Sequence, residues 1–202
     1  LALNNSVVTN GNYCKKFETK ICKITKSKFT VVCNNGTSAL YLSILSIFKN
    51  KPIFAIVPNI NFVSAISILY HLNAKIILCD VNSNGMIDKE TFEDCLNKIS
   101  KKKIKPNLFI PIHYAGLVCD ISDISKICRK KNIKIIEDGC HSFGSSFKNK
   151  NKKIIVGQSK HSLCTTFSFH PVKNITTIEG GAITTNNKSL YKKMLLLRNH
   201  GL

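Results

Sequence analysis

Residues 53–79 read IFAIVPNINFVSAISILYHLNAKIILC, and their pattern decides the fold. Ile53–Val57 is a short, continuously apolar run stopped by Pro58, as expected of a strand covered on both faces. Phe62–Leu72 brings its apolar residues back at helical spacing. Lys75–Cys79 is a second short apolar run. Strand, helix, strand in close succession is the unit that builds a parallel sheet, because parallel neighbours need a crossover between them.

The same alternation extends in both directions. Upstream, Phe17–Ile24 reads as a helix with Phe17, Ile21 and Ile24 on one face, and Thr37–Phe48 as a second with Leu40, Ile44, Leu45 and Phe48 in register. Downstream come a helix over Asp88–Ile99 with Asp88 as N-cap, a strand over Asn107–Ile110, a helix over Ile121–Lys131 and a strand over Ile133–Glu137. Strands over Leu163–Phe169 and Gly181–Thr185 and a helix over Asn186–Arg198 complete the series. The expected fold class is therefore α/β, a mostly parallel central sheet sandwiched by helices. Ligands of such folds sit beyond the carboxyl ends of the strands, so the loops there carry the functional reading.

Composition sets the outer bounds. The chain has 202 residues, the size of one large domain, or of one domain plus a piece of another. A hydrophobic fraction of 44% argues against disorder. The longest apolar runs, such as Ala74–Cys79, are far too short to cross a bilayer, so no membrane partner is expected. Leu1-Ala2-Leu3-Asn4-Asn5 lacks the charged start and apolar run of a signal peptide, and the chain begins without Met. The expectation is a cytoplasmic protein, seen as a fragment or a processed chain. Nine scattered cysteines with no Cys-x-x-Cys pair read as reduced thiols acting as small hydrophobes. His161 and Cys164 have metal-like spacing without a second pair, so no metal is expected.

The net charge is +19, from 30 basic and 11 acidic residues. That balance admits a nucleic-acid or polyanion partner. Yet only Arg129 and Arg198 are arginines, and the lysines are spread along the chain among Asn and Ile. Nucleic-acid readers favour arginine forks and aromatic platforms, so no nucleic-acid partner is expected. Lys101-Lys102-Lys103 reads as a solvated loop.

Three segments carry candidate chemistry. Asn34-Asn35-Gly36-Thr37-Ser38 opens a helix, where free N–H groups attract anions; it is either a phosphate cradle or an ordinary N-cap. Ile135-Ile136-Glu137-Asp138 sets two acids at a strand's carboxyl end, where one could face a cationic ring nitrogen or merely cap the loop; His141 follows. Phe167-Ser168-Phe169-His170-Pro171-Val172-Lys173-Asn174 ends a strand, breaks it with Pro and presents a lysine. Such an amine, partly desolvated, can act as a nucleophile, although it could also be one more surface Lys. Glu179-Gly180-Gly181-Ala182 then resumes an apolar strand.

Together these segments resemble a known family. Asn35-Gly36-Thr37-Ser38-Ala39-Leu40, Val57-Pro58 with Asn61-Phe62-Val63, Glu137-Asp138, Ser168–Lys173 with Glu179-Gly180-Gly181, and Leu197-Arg198-Asn199-His200-Gly201 look like the motifs of the DegT/DnrJ/EryC1/StrS nucleotide-sugar aminotransferases, in that family's order. The resemblance implies a pyridoxal 5'-phosphate enzyme of fold type I. It implies Lys173 as the covalent cofactor lysine and proton carrier, Asp138 on the pyridine nitrogen and Phe62 against the ring. Gly36, Thr37, Ser38 and Ser168 would hold the phosphate, and His141 would lie near the ring's 3' oxygen. His113 and His170 are expected to line the sugar-nucleotide side.

His113-Tyr114-Ala115-Gly116 and the Lys173 segment with Thr176-Thr177 most resemble the pseudaminic-acid branch. That branch transfers an amino group from glutamate to C4 of a UDP-linked 4-keto-6-deoxy-N-acetylhexosamine. Gly139-Cys140 departs mildly from the small residues usual after the Asp. A sister group of dehydratases carries His at the lysine position, so Lys173 favours transamination. The resemblance further implies a homodimer. It also implies that residues 1–202 are the cofactor-binding large domain, with a C-terminal small domain absent. Other sugar aminotransferases of the family, a polyanion-binding module and an inactive remnant are the alternatives.

Overall fold

A computed structural model describes residue 7 and residues 9–201. The signal-peptide reading of Leu1–Asn5 falls outside the described residues. Among the described residues six α-helices and nine strands follow one another as α1 (Asn12–Thr25), β1 (Phe29–Cys33), α2 (Gly36–Phe48), β2 (Phe54–Pro58), α3 (Val63–His71), β3 (Lys75–Cys79), α4 (Lys89–Ser100), β4 (Leu108–Phe109), α5 (Ile121–Lys130), β5 (Lys134–Asp138), β6 (Ser146–Asn149), β7 (Lys152–Ile155), β8 (Cys164–Ser168), β9 (Gly181–Thr185) and α6 (Lys188–Arg198).

Seven strands form one sheet in the order β1-β9-β8-β5-β4-β2-β3. The run β8-β5-β4-β2-β3 is parallel throughout, and β9 is antiparallel to both its neighbours. The α/β class with a mostly parallel sheet is what the sequence pattern predicts. β6 and β7 form a separate hairpin.

Both faces of the sheet are covered, and the strand period shows how. In β2, Ala55 and Val57 pack with α2, α3 and α6, while Ile56 between them packs with α4 and α5. In β5, Ile136 faces the first layer and Ile135 the second. Successive side chains point to opposite faces, so a strand between two helical layers must be apolar at every position. Helix α2 buries residues all round, including Ser43 and Ser46, whose hydroxyls donate to backbone carbonyls within the helix at 2.8 and 2.9 Å. Helix α4 starts at the expected Asp88, in a capping box with Thr91. Several elements differ from the sequence reading. β1, β6 and β7 are additional strands, β4 shrinks to two residues, α1 begins five residues before Phe17, and α3 starts only after Phe62, its N-cap.

Candidate active site

The carboxyl ends of β5 and β8 and the starts of α2 and α3 meet around a cavity of about 340 Å³. Lys173, Asp138, His141, Phe62, Thr37 and Ser168 are among its lining residues. Residues far apart in the chain thus converge at the end of the sheet where doubly covered folds place their ligands.

Asp138 ends β5 and is buried. Its Oδ1 accepts the Cys140 N–H at 3.0 Å, which fixes the carboxyl orientation. The preceding acid takes another path. Glu137 points to the opposite side of the strand, where Oε2 meets His113 Nε2 at 2.8 Å and Oε1 accepts from Ser162. The Cys119 N–H occupies His113 Nδ1 at 3.3 Å, so the ring proton sits on Nε2 and is given to Glu137. Burial alone would raise the Glu137 pKa; the hydrogen bonds it receives from His113 and Ser162 outweigh burial and hold it below the usual carboxylate value.

Lys173 lies in the connection from β8 to β9. His170-Pro171-Val172-Lys173 closes a β-turn, its Lys173 N–H donating to the His170 carbonyl at 2.9 Å, with Pro at the position whose φ it presets. The loop returns to the sheet through Thr177 N–H and Thr176 Oγ1, both donating to Phe169 O at 2.9 Å. Asn174 Nδ2 donates to Phe143 O at 2.7 Å and ties this loop to the one after Asp138. His141 is pushed toward the neutral form, first by burial and then by the Lys173 cation, against the pull of Asp138.

The start of α2 is built by close approach. Asn35 Oδ1 accepts the Ser38 N–H at 2.8 Å, while the first N–H groups of the helix have no carbonyl to reach. A Cβ on Gly36 would lie 2.8 Å from Ser168 Cβ, and one on Gly181 would lie 2.2 Å from the Asn35 carbonyl oxygen. Glycine at both positions lets the helix start press against β8 and β9. Gly36 and Thr37 both line the cavity.

Two expectations need correction. His113 has no exposed surface and is held by Glu137, Cys119 and Ser142, so it does not line a sugar-nucleotide side. Ser38 spends its N–H on Asn35 and lines a groove with Tyr41 and Leu197, away from the cavity. His170 does line the cavity. Ser64, Cys140 and Glu179 also line it. Ser64 follows Phe62 by two positions in the first turn of α3, a spacing that could have brought it to notice. Among the described residues no group of three or more His, Cys, Asp or Glu is placed to hold a metal.

Residues 1–202 match the DegT/DnrJ/EryC1/StrS aminotransferase family over their whole length. The chain belongs to that family. A Campylobacter jejuni relative named UDP-4-amino-4,6-dideoxy-N-acetyl-beta-L-altrosamine transaminase is 32% identical, over 100% of this chain and 51% of its own length. A Methanocaldococcus jannaschii protein is 34% identical, over 99% of this chain and 49% of its own. Helicobacter pylori PseC, an aminotransferase of pseudoaminic acid biosynthesis, superposes with a TM-score of 0.81 at 29% identity, over 99% of this chain and 51% of its own. The chain spans about half the length of the curated relatives it matches.

Family members depend on pyridoxal 5'-phosphate, and solved neighbours include forms with that cofactor and with its amine. The cavity fits it. A glycine-lined helix start suits a phosphate, a buried carboxylate suits a pyridinium, an amine suits an aldehyde, and an exposed aromatic face suits a ring.

Proposed function

We propose that the protein is a nucleotide-sugar aminotransferase that moves an amino group from glutamate to C4 of a UDP-linked 4-keto-6-deoxy-N-acetylhexosamine, in pseudaminic-acid-type biosynthesis in the cytoplasm. The observation that carries this reading is Lys173 and Asp138 lining one cavity from separate strand ends. The altrosamine-transaminase names of the relatives from two bacteria support the sugar.

Bound pyridoxal phosphate supplies an electron sink that lets a C–H bond beside nitrogen ionise. The rest falls to side chains. Gly36 and Thr37 N–H groups and the Ser168 hydroxyl would bind the phosphate. Phe62, 64% exposed at the mouth, would offer its face to the ring. The Asp138 carboxylate would keep a proton on the pyridine nitrogen. The Lys173 amine would hold the cofactor's aldehyde end and would carry the proton at the reacting carbon. Neutral His141 offers a hydrogen bond near the ring oxygen. His170 stands on the sugar side.

Residues 1–202 form the cofactor-binding large domain in this reading, and a small domain completes the enzyme. A second copy of the chain covers the cavity mouth in this reading, where Phe62 and Val172 are exposed. Incubation of the whole protein with glutamate and the UDP-4-keto sugar tests the reading. Expected products are 2-oxoglutarate and the 4-amino sugar, in equal amounts. No 2-oxoglutarate with this sugar, but production with a 3-keto sugar, would move the assignment to another branch of the family.

A further inference from the structure

Every buried Ser and Thr hydroxyl among the described residues, save one, makes a hydrogen bond. The exception is Ser64, 8% exposed, whose hydroxyl meets no partner among those residues. Its own helix does not use it. Ser43 and Ser46 donate back to carbonyls inside α2, whereas Ser64 stands in the first turn of α3, with no helical carbonyl one turn behind it. Nor is its oxygen sealed in. The side-chain atoms that are both shut off from solvent and unpartnered belong to Gln158, His161 and Arg198. Ser64 Oγ is not one of them, so it keeps a reachable surface, and the space it borders is the cavity of Asp138 and Lys173.

The strand order says which part of that cavity it serves. Ser168 ends β8, with Gly36 of the α2 start pressed against it. Asp138 ends β5, the next strand, and Ile112, which follows β4, bridges to Asp138. Helix α3 follows β2, the strand beyond β4. Ser64 therefore enters from the side of Asp138 opposite to the phosphate cradle. In pyridoxal phosphate the phosphate arm and the ring oxygen are carried on opposite sides of the line from the ring nitrogen to the aldehyde carbon. With the phosphate at the cradle and the nitrogen at Asp138, the ring oxygen would turn toward Ser64. His141 stands on that side as well, its ring centre 5.7 Å from that of Tyr114, which follows β4.

We propose that Ser64 is a cofactor-binding residue whose hydroxyl donates to the ring oxygen of pyridoxal phosphate. The contact gives a buried donor the partner that the chain itself does not supply, and an ionised oxygen makes the bond a charge-assisted one. It fixes how far the ring turns about its nitrogen, while α2 holds the phosphate. The inference rests on the cofactor reading of the cavity.

Isothermal titration of the whole protein with pyridoxamine 5'-phosphate, which has no aldehyde for Lys173 to hold, tests it. S64A is expected to bind about tenfold more weakly, the loss of one hydrogen bond to a charged oxygen, and S64T, which keeps the hydroxyl, within about threefold of the parent. The analogue without the ring oxygen, 3-deoxypyridoxamine 5'-phosphate, should bind S64A and the parent alike. Without ligand, S64A should melt at or above the midpoint of the parent, since the substitution removes a buried hydroxyl that has no partner. Undiminished binding of pyridoxamine phosphate by S64A, an equal loss for the analogue, or a lower melting midpoint overturns the proposal. A parent that takes up neither compound overturns the cofactor reading itself, and this inference with it.

Discussion

Glu137 and Asp138 are adjacent in sequence and serve different regions. Asp138 opens into the cavity with Lys173, whereas Glu137 is sealed on the other face of β5 with His113 and Ser162. In the sealed region polar groups satisfy one another, which suits stability. In the open region the helix-start N–H groups, the lysine amine and an aromatic face stay available, which suits binding. The strand period of two makes this division, since neighbouring side chains cannot share a face. Substitutions in the two regions should therefore separate activity from stability.

The largest effect belongs to the open region. Lys173→Ala should lower transamination by the whole protein at least about a thousandfold, since both covalent attachment and proton transfer are lost. Its melting midpoint without cofactor should stay close to that of the parent. A large fall in that midpoint would show that Lys173 is structural. Next comes the sealed region. His113→Ala leaves Glu137 a buried carboxylate without its main partner, and should cost about 3–5 kcal/mol in urea unfolding. If the loss were below about 1 kcal/mol, the sealed pair would not be the support described.

Gly181→Ala sits on the boundary between the regions. Its Cβ would press on the Asn35 carbonyl and push the start of α2 outward. A cost of about 1–3 kcal/mol is expected, together with weaker cofactor retention in equilibrium dialysis. Unchanged retention would separate the helix start from the phosphate.

A smaller effect follows from the Glu137 pKa. The folded state holds this carboxylate below its unfolded value, so the stabilisation is complete above about pH 4.3. It is lost as the pH falls further, through the folded value. Urea midpoints measured against pH should show this acid loss in the parent and less of it in Glu137→Gln. Smallest of all, Ser38→Ala should leave cofactor affinity within about twofold, because the hydroxyl it removes belongs to the groove beside Tyr41 and Leu197 and not to the cavity. A tenfold loss would return Ser38 to the phosphate site.

Much of this was legible in the sequence, and the exceptions have physical causes. The strand runs Ile53–Val57 and Lys75–Cys79 and the helical stripe of α2 followed from the apolar pattern alone. β1 escaped because Phe29–Cys33 is a five-residue stretch close behind a lysine-rich helix end, with no turn signal to isolate it. The β6–β7 hairpin alternates lysine with apolar residues too briefly to stand out. Lys173 and Asp138 were readable because their motifs are local. His113 was not, since a histidine's burial depends on Glu137 and Cys119, which the fold brings to it from elsewhere in the chain. Ser38 failed for a subtler reason. The step of about 100° from Thr37 to Ser38 in α2 turns it away from the cavity that Thr37 lines.

The central claim is that the cavity at Asp138 and Lys173 holds the cofactor. Borohydride reduction of the whole protein with pyridoxal phosphate, followed by peptide mass spectrometry, tests it most directly. The account predicts one pyridoxyl group, on Lys173, and none in Lys173→Ala. A label spread over the many surface lysines, or fixed on a different one, would contradict it.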